Sequence, residues 1–302
     1  MNNTTNQDDI PSNWLILPTT TLAITSIIGF AINTFNTAIL LRCGGRVPRR
    51  VKILTINGCF IYTVRCFYFI LKSAYLTSIL INGYQATAMS YFACVAEQAF
   101  YVSTGFGHYL SLFYVGIERL LVLKNKMASS SSSVKNQASN VYFYSVVASI
   151  WILGFLIHLL IVGLSFNQSR LQSGLNFCYI SFLWDKSLSN TYTISCILLQ
   201  LATCAIFAVI YRKSSQNFEQ FAVKRIDGNL DHRFSIWSNI KVTMWQLKVM
   251  IPSILFTSTI LVVALTVRSI IVFSNQASII YSASVICLFG IDAFLYSLLL
   301  LR

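Results

Sequence analysis

The chain has 302 residues, 56% of them apolar and only 10% charged, with 22 basic against 9 acidic side chains for a net charge of +13. Ordinary soluble domains carry about 25% charged residues, so this balance excludes a water-soluble globule and points to a chain dissolved in lipid. The basic excess clusters in connections between apolar stretches, a topological pattern that excludes nucleic acid as the partner the charge serves.

A membrane-spanning helix needs about 20 mostly apolar residues. Seven stretches meet that need: Leu17–Leu41, Ile53–Leu71, Tyr91–Leu123, Val141–Leu164, Ser189–Tyr211, Val249–Phe273 and Ala277–Leu301. Their sustained apolarity lacks the alternation of barrel strands, and backbone groups facing lipid must be satisfied within their own segment. The expected fold is therefore an all-α membrane protein, a seven-helix bundle over 17–302 preceded by an external segment over 1–16.

That leading segment carries Asp8 and Asp9 in place of a basic stretch, so the first span is expected to be retained and not removed as a signal peptide. Asn2 and Asn3 each open a glycosylation sequon. Helix one holds Asn33 and Asn36 and helix two holds Asn57, polar groups that in lipid more often join helices than form sites. Between these helices lie Arg42, Arg46, Arg49, Arg50 and Lys52; the outer end of helix two is placed at Leu71, with Lys72 in the following connection.

Helix three is the most informative segment. Cys94 lies near one end and the Glu118-Arg119 pair near the other, an interval of about 37 Å at ~1.5 Å per residue, which suits a tilted helix crossing from face to face. Cys178, after helix four, is the other cysteine placed in an outer connection. A Cys94–Cys178 bridge is permitted in that oxidising compartment; the alternative is two free thiols. Adjacent residues on a helix do not face each other, so Arg119 is free to turn toward another helix or a partner, either as one more inner-side arginine or as a switch residue. Arg65 in helix two and Glu97 one turn inward from Cys94 fall at similar depth. A charge there costs several kcal/mol unless compensated, so the two form an ion pair or serve a cavity that meets a polar ligand, with Tyr101 as a further lining candidate. His108 and His158 read as hydrogen-bonded packing residues; no second ligand follows at metal-site spacing, and no metal or other cofactor is expected.

Further along, Ser129–Ser133 reads as a flexible connection, Trp151 marks the middle of helix four, and Asn167 opens a third sequon. Mixed basic and apolar residues ahead of Pro252 predict an amphipathic extension of helix six near the headgroups. In helix seven, Asp292 and Tyr296 are four apart, on one face near the inner end. Lysines and arginines concentrate between helices one and two, three and four, and five and six; the positive-inside bias puts those connections and Arg302 in the cytoplasm and the amino terminus outside. The three sequons fall on the outer side, in agreement.

The outer cysteine on helix three, the Glu118-Arg119 pair, Trp151 and the Asp292-Ala293-Phe294-Leu295-Tyr296 segment together resemble G-protein-coupled receptors. Ala293 stands where that family has proline, which predicts a helix seven without the usual kink. More narrowly, Asn229 to Ile240, followed by Leu247 and Ile251-Pro252, is similar to the segment before helix six in nematode chemosensory serpentine receptors of the Sra, Srab and Sre kind; Trp237-Ser238 precede Asn239 where those receptors have an acid. The resemblance implies that Glu118 and Arg119 act as the inner switch and that Asp292 and Tyr296 follow helix seven. It implies as partners a heterotrimeric G protein, a small-molecule or peptide ligand and membrane lipids, at the plasma membrane of a sensory cilium or dendrite. A transporter or ligand-gated channel is the competing expectation, weakened by the absence of an internal repeat or a mid-membrane proline. An enzyme is not expected, because the few acids and histidines are dispersed.

Overall fold

A computed structural model describes residues 12–43, 49–82, 89–124, 134–165, 178–179, 183–223, 230–270 and 275–301. Seven long helices account for nearly all of them: α1 (Ser12–Cys43), α2 (Arg49–Asn82), α3 (Tyr91–Lys124), α4 (Val134–Leu164), α5 (Lys186–Val223), α6 (Leu230–Ile270) and α7 (Asn275–Leu301). Six of them contain one expected span each, and α6 contains the sixth span up to Ile270, its residues 271–273 lying outside the described ones; several helices run well past the expected bounds. Six are long and apolar enough to cross a membrane: Trp14–Arg42, Val51–Asn82, Tyr142–Leu164, Lys186–Gln216, Ile240–Ile270 and Ala277–Leu301.

The seventh, α3, falls outside that set for a reason its packing supplies. It touches α2, α4 and α5, and most of its side chains from Tyr101 to Leu112 are buried. A helix shielded by neighbours can carry Gln98, Ser103, Thr104, His108 and Ser111 at buried positions, away from lipid, where Gln98, His108 and Ser111 meet side chains of other helices. Around it the ring closes through α1 on α2 and α7, α5 on α6, and α6 on α7. The outward faces are apolar: Ile24, Leu160, Leu198 and Leu255 are all exposed. So continuous a greasy surface is what a lipid-facing bundle presents.

Two boundaries differ from expectation in an instructive way. The sequence reading ends helix two at Leu71 because Lys72 follows, yet α2 continues to Asn82 with Lys72 buried inside it. The charge is tolerated because a carboxylate meets it. At the other side of the bundle, α6 begins at Leu230 and its membrane-length apolar stretch at Ile240, so the residues just ahead of Pro252 belong to the span and not to a headgroup extension. Pro252 lies within the span beside Ser253, against the expectation of no mid-membrane proline.

Close helix contact is concentrated at Gly154 of α4. A Cβ added there would sit 2.9 Å from the Ser103 carbonyl oxygen and 3.1 Å from its Cα, backbone atoms of α3 that cannot swing aside. At Gly163, on the same helix, the added Cβ meets nothing within 4 Å. Gly154→Ala is therefore expected to destabilise the bundle by about 1–3 kcal/mol through overpacking. Gly163→Ala is expected to be neutral or to gain up to about 1 kcal/mol from helix propensity. Thermal unfolding of the two variants in detergent, compared side by side, checks the difference in sign.

Candidate functional site

One end of the bundle is pinned covalently. Cys94 at the start of α3 is bonded to Cys178, 84 residues later, so the first of the two alternatives for these thiols holds. The bridge draws the short stretch at Cys178 and Tyr179 over the helix ends, and a salt bridge reinforces it from beneath. Lys72 Nζ donates to Glu97 Oε1 at 2.8 Å and to the Cys178 carbonyl at 2.6 Å. Tyr68 donates to the same carboxylate oxygen at 3.2 Å, and Gln98 donates to the Tyr68 hydroxyl at 3.1 Å.

This arrangement corrects the expected pairing of Arg65 with Glu97. Glu97 is held by Lys72, on the face of α2 two turns beyond Arg65, and it does not line the cavity described next. Helical geometry explains the exchange: Tyr68 and Lys72 follow Arg65 at intervals of three and four, so one stripe of α2 presents all three, and the depth of Glu97 matches the last of them.

Below the bridge lies a cavity of about 90 Å³, open to solvent at its mouth and walled by α2, α3, α5, α6 and α7 together with Tyr179. That is well under the ~300–1,000 Å³ usual for drug-sized ligands, so only a small molecule fits between these helices. Arg65 and Tyr101 both line it, as expected of them, joined by Tyr109, Tyr192, Phe289 and Arg268. Arg65 is 1% exposed. Its guanidinium carbon lies 4.8 Å from the centroid of the Phe289 ring, 5.6 Å from Phe69 and 5.8 Å from Tyr101, so three aromatic faces supply part of what water would give a cation. At the mouth, Arg268 in the last turn of α6 donates to Ser189 of α5.

A polar cluster connects four helices beside the cavity. Tyr62 of α2 donates to Asp292 Oδ2 at 3.1 Å and Ser253 of α6 donates to Asp292 Oδ1 at 3.2 Å, while the Tyr62 hydroxyl lies 3.0 Å from His108 Nε2 of α3. Tyr296 stacks on the Tyr62 ring with centroids 4.3 Å apart. Asp292 and Tyr296 thus share the face of α7 that meets Tyr62. Their depth differs from expectation: Asp292 is bonded to Tyr62 and Ser253, which lie near the midpoints of α2 and α6, so it sits in the middle of the bundle and not near its inner end. Tyr62 and Ser253 were invisible as site residues in the sequence; the available signal was the three-residue spacing of Tyr62 and Arg65 on one α2 face.

At the end opposite the disulfide, Glu118 and Arg119 are both buried, and Arg119 Nε donates to Glu118 Oε2 at 2.6 Å. The expectation that neighbours on a helix turn apart is thereby corrected. Long side chains on adjacent positions can curl back along the helix surface, and among buried groups an ion pair is favoured over two separated charges. Nearby on this end, a second hollow is lined by Asn36, Lys241, Trp245, Lys248 and Leu300.

The polar residues taken as interhelical joints do join helices. Asn33 Nδ2 donates to Ser297 Oγ at 2.6 Å and Asn36 to the Ser297 carbonyl at 3.1 Å, linking α1 to α7. Trp151 Nε1 donates to Asn57 Oδ1 at 3.1 Å, and Asn57 Nδ2 donates to Ser111 Oγ at 3.4 Å, linking α4, α2 and α3. His158 Nε2 lies 3.0 Å from the Val95 carbonyl. Asn2, Asn3, Asn167, Asn229 and Ser129–Ser133 fall outside the described residues. Among those described, no group of three His, Cys, Asp or Glu side chains is gathered as a metal site would require. No protein-family model matches this chain, and no curated protein matches it.

Proposed function

We propose that this chain is a chemosensory receptor of the plasma membrane that binds an external chemical and signals to a heterotrimeric G protein. In this reading the disulfide end faces outward and the Glu118–Arg119 end faces the cytoplasm, as the distribution of lysine and arginine favours. The resemblance to nematode serpentine receptors of the Sra, Srab and Sre kind supports a sensory neuron, at the cilium or dendrite, as its site of action.

The observation that carries the reading is the build of α3, an interior helix in contact with α2, α4 and α5. One end is stapled beside a small-molecule cavity and the other holds a buried acid–arginine pair. Between them, the Tyr62, His108, Ser253 and Asp292 cluster ties α3 to α2, α6 and α7. A ligand acts only through differential affinity for two arrangements of such a bundle. Breaking the Glu118–Arg119 contact is the step that would release the inner ends of the helices to a partner. The basic hollow around Lys241 and Lys248 suits anionic lipid or an acidic protein surface there.

Arg119→Ala, in a chain verified at the cell surface, is expected to abolish agonist-evoked G-protein signalling while ligand binding persists. Undiminished signalling by that variant would defeat the receptor assignment. Glycosylation mapping supplies the orientation: engineered sequons beside Cys178 should be modified, and sequons between α5 and α6 should not.

A further inference from the structure

We propose that the cavity beneath the Cys94–Cys178 bridge is an organic-anion site, built to hold a small aromatic or aliphatic carboxylate with Arg65 as the group that meets the carboxylate. This deepens the receptor reading and rests on it for its physiological meaning. The binding claim stands on the cavity alone.

Three observations carry it. First, Arg65 is buried to 1% exposure and lines the cavity, yet neither its Nε nor its Nη1 has a hydrogen-bond partner. Guanidinium cannot shed its proton to escape this situation, and a buried charge with unclaimed donors is among the more unfavourable features a bundle can hold. Second, no carboxylate among the described residues is bonded to it. The ion pairs Lys72–Glu97 and Arg119–Glu118 do not involve it. Asp292, whose charge Arg65 senses through space, has both carboxylate oxygens engaged by Tyr62 and Ser253 and forms no ion pair with it. Third, the cavity lining contains two arginines, Arg65 and Arg268, and no acid. A cationic ligand would meet only like charge. A neutral one can accept a hydrogen bond from Arg65 but leaves its charge uncompensated.

The remaining walls decide what the anion is attached to. Tyr101, Tyr109, Tyr192, Leu261 and Phe289 surround the cavity with aromatic and aliphatic surface, which matches a ring or short hydrocarbon body. A single guanidinium at depth fits a monoanion; a phosphate dianion would call for a second cation beside the first, and Arg268 is engaged at the mouth by Ser189. The three rings that flank Arg65 also shield it from bulk solvent, so an anion that reaches its guanidinium meets it out of competition with water.

The test uses the full chain purified in detergent, with thermal unfolding followed against phenylacetate, 3-phenylpropanoate and indole-3-acetate, the primary amide of each, and phenyl phosphate. At least one carboxylate is expected to raise the unfolding midpoint, with an apparent affinity about 10- to 100-fold above that of its amide, the range a charge-assisted hydrogen bond supplies. Arg65→Gln should erase the preference for acid over amide, and Arg65→Lys should keep part of it. The unliganded midpoints of both variants report whether they fold, and the acid-to-amide ratio of the unmodified chain needs no variant at all. Amides that match their acids, a panel in which no carboxylate shifts the midpoint, stronger stabilisation by phenyl phosphate, or a preference that survives in folded Arg65→Gln would each overturn the assignment. Signalling in cells separates this claim from the broader one. Carboxylate binding without G-protein activation sinks the receptor reading and leaves the anion site; signalling evoked by neutral compounds and undiminished in Arg65→Gln does the reverse.

Discussion

Replacing Cys94 and Cys178 together by serine is expected to lower the stability of the bundle by about 2–5 kcal/mol, the largest single effect available in this chain. The bridge closes a loop of 84 residues, and long loops lose the most entropy when tied. Spanning helices persist in the denatured state in detergent, so part of that entropy is already spent, and the effect should fall within the range and not at its top. A second consequence is local. Lys72 donates to the Cys178 carbonyl at 2.6 Å, and Tyr179 lines the cavity, so cutting the tether removes a wall of the ligand site as well as a staple. Thermal unfolding with and without reductant is the measurement. Reduction should move the midpoint of the unmodified chain down to that of the double variant and leave the variant where it was; an unmoved midpoint would show that the bridge contributes nothing to stability.

Lys72→Met is expected to destabilise by about 3 kcal/mol, because it strips Glu97 of its cation while the carboxylate stays in place. Lys72 has no exposed side-chain surface, whereas Glu97 keeps 22% of its own, and that residual hydration holds the effect at the lower end of the ~3–5 kcal/mol usual for broken buried pairs. Tyr68 would remain as a donor to the stranded oxygen. Combining Lys72→Met with Glu97→Leu should restore part of the loss, since no unpaired charge is left, while the Cys178 carbonyl and the Tyr68 hydroxyl each still lose a hydrogen-bond partner. A double-mutant cycle by thermal unfolding measures the coupling directly. Additive losses would mean that the ion pair exists without energetic consequence.

The same pair illustrates where sequence reasoning stopped. Lys72 was placed outside helix two because a lysine among apolar residues marks the end of a span unless something compensates it, and the compensating group lies 25 residues away on another helix. Arg65 and Glu97 were matched by depth, a coordinate that a helical wheel supplies; which of two cations on the same α2 stripe reaches the acid depends on how α2 and α3 cross. Arg119 is expected to turn away from Glu118, toward another helix or a partner, because local geometry separates adjacent positions, and burial overrides that preference. By contrast, Asn33, Asn36, Asn57 and Trp151 were read correctly as joints, since a polar side chain in lipid has few alternatives to a partner on the next helix. A cavity role for Arg65 was one of two readings of a charge at that depth, and Tyr101 had no signal of its own among the many aromatic residues of α3. Tyr62 and Ser253 were not legible as site residues, because tyrosine and serine are common in spans and nothing in their spacing announces that both point at Asp292.

By itself, the order of residues determined that this protein is a set of long apolar helices, and roughly where each begins. Solubility in lipid is a property of stretches about 20 residues long, and stretches are what a linear chain displays. It also located the two cysteines whose bridge pins α3. Only the tertiary structure decided which charge answers which, that Asp292 sits at mid-bundle among Tyr62, His108 and Ser253, and that Arg65 was left facing a cavity with no acid in it. Those outcomes depend on angles and distances between helices far apart in the chain, where a shift of one turn, about 5.4 Å, changes every partner.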